Sequence, residues 1–427
     1  MCTIDYRYLR PKKAAFLKKW QEDPAFVQRE NLTLWRGETA TILPLRRVEG
    51  DGFLFGRGGV VDCDGNYVEL SAIPRRVQLR YPFDAPAYRD EKVVYCGYLV
   101  KHWGHFLVEA VARLWYFLER DETVDKYVFF LNENEQREIR GNYRMFLELL
   151  GIWDKLEFIN RPTTYREVII PELGFHCRHH WSQKFLNIYN TVAENITVNP
   201  DWPVHEKLYY SRSQLAKGQD FEFGLEVLDD FYEKNGYTIL YPEKVPLDEM
   251  IHYIRNSKVV ATLSGSLPHN MLFASNGQQL EILERCVLNN DFQTNVNRMR
   301  QLQVAYIDAN IPVYTVDMVG PFIMGYNDCM ERFAEDKGYA PPKAEYTTKQ
   351  YLKQCFVSYM KSYQDLYRYN WFMDDWYAEH ADYLYEAYQA GHEYFGDWLD
   401  GKRPFLWHHY FELHYFKQFI KRLLKRA

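Results

Sequence analysis

The chain has no segment suited to cross a membrane and no cysteine pattern that would crosslink it. None of its apolar runs approaches the ~18 residues of a membrane-spanning helix, and its first twenty residues lack the apolar core of a secretory signal. The seven cysteines are odd in number and include no Cys-x-x-Cys spacing, so neither a disulfide framework nor a thiolate metal site is indicated. These absences predict a cytoplasmic protein.

The chain also lacks an excess of positive charge, with 52 Lys and Arg against 58 Asp and Glu. The 427 residues carry a formal net charge of −6, so composition gives no reason to expect nucleic acid as a partner. The proportions of hydrophobic residues (47%) and charged residues (26%) are typical of a soluble globular protein. Aromatic residues are plentiful at 17%, and although most should pack cores, aromatic faces also stack on sugar rings.

Apolar strand-like runs alternate with helix-like segments twice along the chain, which predicts two α/β units with parallel sheets. The fold class is therefore predicted as α/β with two Rossmann-like domains. The predicted domains are 1–200 (with β-hairpin additions near its start), 201–342 and 343–427 (a helical, aromatic-rich extension).

Two further segments have alternative interpretations. Asp62-Cys63-Asp64 is similar to the Asp-x-Asp of metal-dependent sugar transferases, but Asp64-Gly65-Asn66 is also what a hairpin turn requires, and the turn is favoured. Residues 417–426 alternate basic and apolar side chains. That pattern suits peripheral contact with an anionic membrane surface, such as the inner face of a plasma membrane, and equally suits a terminal helix with cations at its favourable end.

Residues 259–284 form the clearest functional unit. The apolar run 259–263 predicts a strand, 267–274 a short helix and 280–283 a second strand. The carboxyl end of such a strand, with small residues and the free N–H groups of the next helix, is where α/β proteins bind anions such as a diphosphate. The small or polar residues at this turn are Ser264, Gly265, Ser266, His269 and Asn270.

Residues 99–118 predict one buried α-helix that carries a polar stripe. On a helical wheel, His102, His105, Glu109 and Arg113 fall on one face among apolar neighbours. This stripe predicts either a structural ion-pair network or a general base at the wall of a cleft, with His105 or Glu109 as the base. A zinc site is disfavoured because the spacing differs from His-Glu-x-x-His and no further ligand set is apparent.

Arg212 and a cluster of three histidines are two further candidates for contact with phosphate. Arg212 follows the predicted strand 207–211, at the strand end where ligands bind in such sheets, and could hold a diphosphate or lie on the surface. His176, His179 and His180 form a second cluster in a predicted loop, exposed or facing phosphate.

With these blocks in place, the chain resembles the family 61 glycosyltransferases, particularly the bacterial branch associated with capsule and other surface polysaccharides. His105, Glu109 and Arg113 match the family's helix pattern, with His102 at its Asn position, and the family's Ser-Arg is matched by Ser211-Arg212. In the Gly-rich block, Gly265, Asn270, Leu272 and Phe273 match, while Ser264 and Leu267 replace a His and a Gly; Glu281 corresponds to the Glu that follows.

The resemblance implies a GT-B arrangement, with two Rossmann-like domains facing a cleft, the donor held by the second and the base supplied by the first. It implies no cofactor and no essential metal. The predicted function is inverting transfer of a sugar from a nucleoside-diphosphate donor to a hydroxyl of a surface polysaccharide or other glycan acceptor, with His105 or Glu109 as base. The predicted substrate-binding residues are His102, Arg113, Arg212, Ser264, Gly265, Ser266, His269, Asn270 and Glu281. The alternatives are a non-catalytic glycan- or nucleotide-binding protein and a metal-dependent hydrolase.

Overall fold

The computed structural model describes residues 2–47, 56–73, 79–215, 221–286, 291–311 and 320–367. Residues 368–427 of the predicted C-terminal extension, including its basic end at 417–426, lie outside these residues. None of the described helices is long and apolar enough to cross a membrane.

The described residues form two six-stranded sheets, of which the first is mixed and has the order β4-β3-β8-β5-β6-β7. Its four parallel members pair as β8-β5-β6-β7, while β3 runs antiparallel to both β4 and β8. The antiparallel pair confirms the predicted hairpin addition. The strands are β3 (Leu34–Arg46), β4 (Arg57–Val61), β5 (Ala87–Tyr98), β6 (Lys126–Phe130), β7 (Leu156–Ile159) and β8 (Thr163–Pro171).

The second sheet is entirely parallel, with the order β1-β16-β15-β14-β11-β13. The prediction of a parallel sheet in this half of the chain is therefore confirmed. The strands are β1 (Thr3–Tyr8), β11 (Lys207–Tyr210), β13 (Thr238–Leu240), β14 (Val259–Leu263), β15 (Gln279–Glu284) and β16 (Gln303–Asp308).

Short helices cover both sheets, and two small strand groups complete the described fold. The helices are α1 (Pro11–Gln21), α2 (Trp103–Val108), α3 (Gly141–Leu149), α4 (Gln183–Glu194), α5 (Leu225–Lys234), α6 (Leu247–Asn256), α7 (Asp291–Met299), α8 (Asp328–Lys337) and α9 (Lys349–Tyr367). The remaining strands are β2 (Val27–Gln28), β9 (Phe175–His176) and β10 (His180–Trp181), which form one small sheet, and β12 (Glu222–Phe223) with β17 (Phe322–Ile323).

The first residues of the chain belong to the second sheet, which corrects one predicted domain boundary. Strand β1 pairs in parallel with β16, from Thr3 opposite Gln303 to Tyr8 opposite Ile307. Helix α1 then packs against α7. The prediction that residues 1–200 form one domain is therefore wrong for the segment that contains β1 and α1, because the edge of the second sheet supplies the hydrogen-bonding partner that β1 needs.

One continuous hydrophobic core joins the two sheets through the helices between them. Phe146 of α3 and Tyr189 of α4 both contact Phe273, which follows β14 in the second unit, with ring centroids 6.1 and 5.3 Å apart. The mixed α/β architecture with parallel sheets is that of a Rossmann-like fold. The specific GT-B arrangement with an open cleft stays a prediction.

Residues 62–66 form the turn that was favoured over a metal motif. The Asp62 carboxylate accepts the backbone N–H groups of Asp64 and Asn66 at 3.0 and 2.8 Å, and Gly65 has a φ of 81°. A carboxylate that closes its own turn in this way is an Asx-turn, and the positive φ explains the glycine.

Candidate active site

The predicted helix over 99–118 is broken in two at Glu109. An α-helix covers Trp103–Val108 and a 3₁₀ helix covers Ala110–Glu119. Two carbonyls of this segment have partners outside it, because the Tyr189 hydroxyl donates to Leu107 O and the Gly174 N–H donates to Ala112 O. A 3₁₀ helix has three residues per turn, so the single stripe of polar side chains expected from one α-helix does not form.

Arg113 lies apart from the other members of that predicted stripe. It is 1% exposed, and its guanidinium donates to the backbone carbonyls of Pro171 (2.9 Å), Leu70 (2.7 Å) and Ala72 (3.2 Å). Burial lowers the pKa of Arg113. Because its bonds go to the protein's own backbone, the structure gives Arg113 a structural role in place of the predicted donor-binding one.

His105 and Glu109 form a dyad at the end of α2. The Nδ1 atom of His105 lies 2.8 Å from Oε2 of Glu109, and the two side chains are 32% and 14% exposed. The carboxylate lies off the axis of the ring N–H, so the attraction is electrostatic rather than that of a linear hydrogen bond. A carboxylate at Nδ1 favours a proton on that nitrogen, which makes Nε2 the nitrogen that accepts a proton. Of the two candidate bases, this arrangement favours His105, with Glu109 orienting it.

The start of α2 lies directly against the turn after β14. A Cβ atom placed on Gly104 would be 2.8 Å from Ser266 Oγ and 3.1 Å from His269 Cδ2. The indole Nε1 of Trp103 also donates to Asn270 Oδ1 at 2.9 Å. The two sequence blocks predicted to carry the site are therefore in contact, although more than 150 residues separate them along the chain.

A buried chain of hydrogen bonds holds His269 in one tautomer. Its Nδ1 lies 2.8 Å from Gln293 Oε1, and the Gln293 amide donates to Asn297 Oδ1, also at 2.8 Å. Since the Gln293 oxygen can only accept, Nδ1 of His269 carries the proton. Burial lowers the pKa of His269 to about 4, so the ring is neutral beside the dyad at physiological pH.

The turn after β14 has the predicted position but not the predicted helix. Gly265 has a φ of 128°, and the segment Leu267–Phe273 is a 3₁₀ helix. Its second residue, Pro268, has no N–H, and the next N–H, from His269, is directed to Ser266 O at 3.3 Å. The predicted α-helix is therefore wrong, and anion binding by this turn stays a prediction.

Arginine side chains supply positive charge at this end of the sheet instead. Nε of Arg212 donates to both carboxylate oxygens of Glu222, at 2.8 and 3.1 Å, and Arg285 Nη1 donates to the same carboxylate. The predictions included Arg212 but missed Arg285. Arg285 could have been predicted by the same reasoning, because it directly follows β15 just as Arg212 closely follows β11.

The structure thus brings most of the predicted site residues together. A comparison with known families tests the predicted family. Residues 103–280 match the family model described as Glycosyltransferase 61. The match supports the predicted family; its bacterial surface-polysaccharide branch stays a prediction. No curated protein matches the chain.

The glycosyltransferase 61 match contains both contacting blocks of the site. It begins at the first residue of α2 and ends inside β15, so it leaves out Arg285. Within the described residues, no group of three or more His, Cys, Asp or Glu side chains is placed to hold a metal ion. The predicted residues that contacts connect here are His102, His105, Glu109, Arg212, Ser264, Gly265, Ser266, His269 and Asn270.

The second histidine cluster lies in the small sheet next to this site. The His176 and His179 rings are 4.2 Å apart, and His180 Nε2 is 2.9 Å from Leu173 O. Burial lowers the pKa of His180, which is 7% exposed. His180 is therefore a buried structural residue, and only His179 of the three is exposed, as predicted for the cluster.

Glu281 lies away from the candidate site. It is the third residue of β15, well before the strand's carboxyl end, and it borders a cavity of about 350 Å³ together with Asp5 and Lys337. Its carboxylate accepts the Tyr237 hydroxyl at 3.0 Å and is 3.9 Å from Lys337 Nζ. The structure therefore does not place Glu281 with the other predicted donor-binding residues.

The burial of Glu281 should make the stability of the folded protein depend on pH, and this can be measured without an activity assay. Burial raises its pKa from 4.5 to about 7, against the opposing effects of Lys337 and the Tyr237 hydroxyl. Between these values the folded protein keeps a proton that the unfolded chain has released, so stability is greatest at low pH and falls as pH rises through this window. From pH 5 to pH 8, the free energy of unfolding of the wild type should fall by about 2–4 kcal/mol relative to Glu281→Gln, as measured by urea denaturation.

The exposed Glu148 of α3 provides the control. Glu148→Gln should give a curve of stability against pH parallel to that of the wild type. Parallel curves for Glu281→Gln and the wild type would contradict the assignment.

Proposed function

We propose that the protein transfers a sugar from a nucleoside-diphosphate donor to a hydroxyl group of a glycan acceptor, with inversion at the anomeric carbon. The glycosyltransferase 61 match supports sugar transfer in general. The donor, the acceptor and the inverting course are the proposal's own. We also propose, from the resemblance, that the acceptor is a bacterial surface polysaccharide and that the reaction takes place in the cytoplasm or at the inner face of the membrane.

The observation that carries the proposal is the His105–Glu109 dyad beside the turn after β14. A sugar hydroxyl is a weak nucleophile and needs a positioned base. His105 has a carboxylate 2.8 Å from Nδ1, and its neighbour Gly104 lies against Ser266 of the turn. This contact supports a base next to the strand end at which α/β proteins bind phosphorylated ligands.

The reaction is a single displacement. The acceptor oxygen attacks the anomeric carbon as its proton passes to Nε2 of His105, and Glu109 stabilises the imidazolium that forms. The bond between the anomeric carbon and the diphosphate oxygen breaks, and the electron pair leaves with the nucleoside diphosphate. The departing negative charge requires fixed positive potential, for which Arg212 is the predicted group.

Ligand-dependent thermal stability tests the donor class. The purified protein is heated with UDP-, GDP-, CMP- and dTDP-sugars in the presence of EDTA. A donor present at 100 times its dissociation constant stabilises the folded state by about 2.7 kcal/mol, which raises the unfolding midpoint visibly. A rise with a UDP-, GDP- or dTDP-sugar identifies the nucleotide and supports binding without metal. A rise with a CMP-sugar alone would contradict the diphosphate donor, because CMP-sugars carry a single phosphate.

The other outcomes separate the rival functions. A donor that binds but is neither transferred nor hydrolysed would favour a binding protein on this scaffold. Sugar transfer that requires a divalent ion and is abolished by EDTA would contradict the proposed metal-free reaction. Hydrolysis with the same requirement would favour a hydrolase built on His102, His105 and Glu109.

A further inference from the structure

The ends of three neighbouring strands place two arginines on either side of one glycine. In the second sheet, β14 lies between β15 and β11. Arg285 directly follows β15, Arg212 closely follows β11, and Gly265 lies in the turn after the central strand. Because all three strands are parallel, these residues share the carboxyl edge of the sheet.

Glu222 joins the two arginines. Its side chain is only 3% exposed, and its carboxylate accepts Arg212 Nε at 2.8 Å and also Arg285 Nη1. A buried carboxylate between two guanidinium groups fixes their orientation and prevents their mutual repulsion from separating them. The three groups together carry one net positive charge.

The absence of a side chain at Gly265 lets Arg285 approach the turn. A Cβ atom there would be 2.8 Å from Arg285 Nη2, so any other residue would displace the guanidinium. The Arg285 backbone N–H also donates to Ser264 Oγ at 3.2 Å, and its guanidinium carbon lies 4.9 Å from the centre of the Phe322 ring. Arg285 is therefore held from several directions while its side chain stays 15% exposed.

We propose that Arg212 and Arg285, oriented by Glu222, form a binding site for the diphosphate of the donor. Guanidinium groups present paired N–H donors that match phosphate oxygens, and two of them can hold both phosphoryl groups of a diphosphate. The hydrogen bonds from Arg212 to Glu222 come from Nε, so they do not use the N–H groups of its Nη atoms. This inference rests on the proposed function in naming the donor as the source of the diphosphate; the anion site itself is tested without any sugar.

Binding of inorganic pyrophosphate, measured by calorimetry with EDTA present, tests the site. The wild type should bind pyrophosphate more tightly than orthophosphate. Arg212→Gln and Arg285→Gln should each weaken pyrophosphate binding by about 10- to 100-fold, because each removes charge-assisted hydrogen bonds. Arg285→Lys should have an intermediate affinity, since it keeps the charge but loses the planar fork.

Glu222→Gln has an expected effect of opposite sign. It raises the net charge of the three groups from one to two, so pyrophosphate should bind several-fold more tightly. The free variant should unfold at a lower temperature than the wild type, because the two arginines then repel each other, and pyrophosphate should restore more of its stability than it adds to the wild type. This variant keeps the test informative if the arginine variants fold poorly.

Arg144, an exposed residue of α3 paired with Glu148, is the matched control. Arg144→Gln should bind pyrophosphate like the wild type. The proposal is overturned if the wild type does not bind pyrophosphate, if both site variants bind as well as the wild type, or if Arg144→Gln loses as much affinity as they do. If pyrophosphate binding depends on both arginines but no nucleotide sugar binds, this anion site stands and the proposed function fails. If sugar transfer occurs but pyrophosphate binding does not depend on these arginines, only this inference fails.

Discussion

Replacing His105 with Gln is expected to lower the turnover number by about 10²- to 10⁴-fold, the contribution typical of a general base. Glutamine is similar in size to histidine but cannot accept the acceptor's proton at neutral pH. The side chain is partly exposed, and its contact with Glu109 is made at the surface of the site, so the fold should tolerate the change. Donor binding, measured by thermal stability, should stay close to that of the wild type.

Glu109→Gln separates the two roles in the dyad. If His105 is the base, the variant keeps the base and loses only the carboxylate that orients it, so turnover should fall less than in His105→Gln. If Glu109 is the base, the order reverses and Glu109→Gln is the more severe change. A steady-state transfer assay on both variants therefore decides which group takes the proton.

His205 is the control for general effects of replacing a histidine. It precedes β11 at the opposite end of the second sheet, where its Nδ1 is 3.0 Å from Thr238 Oγ1. His205→Gln should transfer sugar at the wild-type rate. Wild-type turnover in His105→Gln would exclude the proposed base.

The second sheet could be predicted from sequence because each of its strands after residue 200 is short, apolar and separated from the next by a helix-like segment. The strand predicted at 259–263 coincides with β14, and the strand predicted at 207–211 coincides with β11 to within one residue. These elements obey local periodicity, which a single sequence displays directly. The site at the carboxyl edge followed from the same alternation, through Ser264, Gly265 and Arg212.

The features that escaped prediction depend on partners distant in the chain. Nothing local marks β1 as the edge of a sheet whose other strands begin 200 residues later, because its pairing with β16 is a tertiary contact. The break at Glu109 likewise lies beside contacts from distant residues, because the Tyr189 hydroxyl and the Gly174 N–H bind the carbonyls of Leu107 and Ala112. Arg113 shared a helical face with His105 only while that helix was assumed to be regular.

The close contact at Gly104 gives the second large expected effect. Gly104→Ala should lower turnover by about 10²-fold, because displacement of catalytic groups by about 1 Å can cost that much. The new Cβ would approach Ser266 Oγ to 2.8 Å and His269 Cδ2 to 3.1 Å, so α2 and the turn must move apart. Helix propensity alone predicts that the alanine variant has a more stable α2, because alanine is favoured over glycine by about 1 kcal/mol within a helix. Weakening of the helix would therefore not explain a lower turnover. A loss of turnover therefore identifies the packing of α2 against the turn as the cause.

A double-mutant cycle attributes this loss to the contact with Ser266. Ser266→Gly removes both Oγ and Cβ, the latter being 3.0 Å from the new methyl group. Gly104→Ala should therefore cost much less turnover in the Ser266→Gly background than in the wild type. The remaining cost measures the contact with His269, which cannot retreat easily because Gln293 and Asn297 hold it in a buried chain of hydrogen bonds. An equal loss in both backgrounds would mean that the two positions act independently, and that the His105–Glu109 dyad does not depend on this contact for its position.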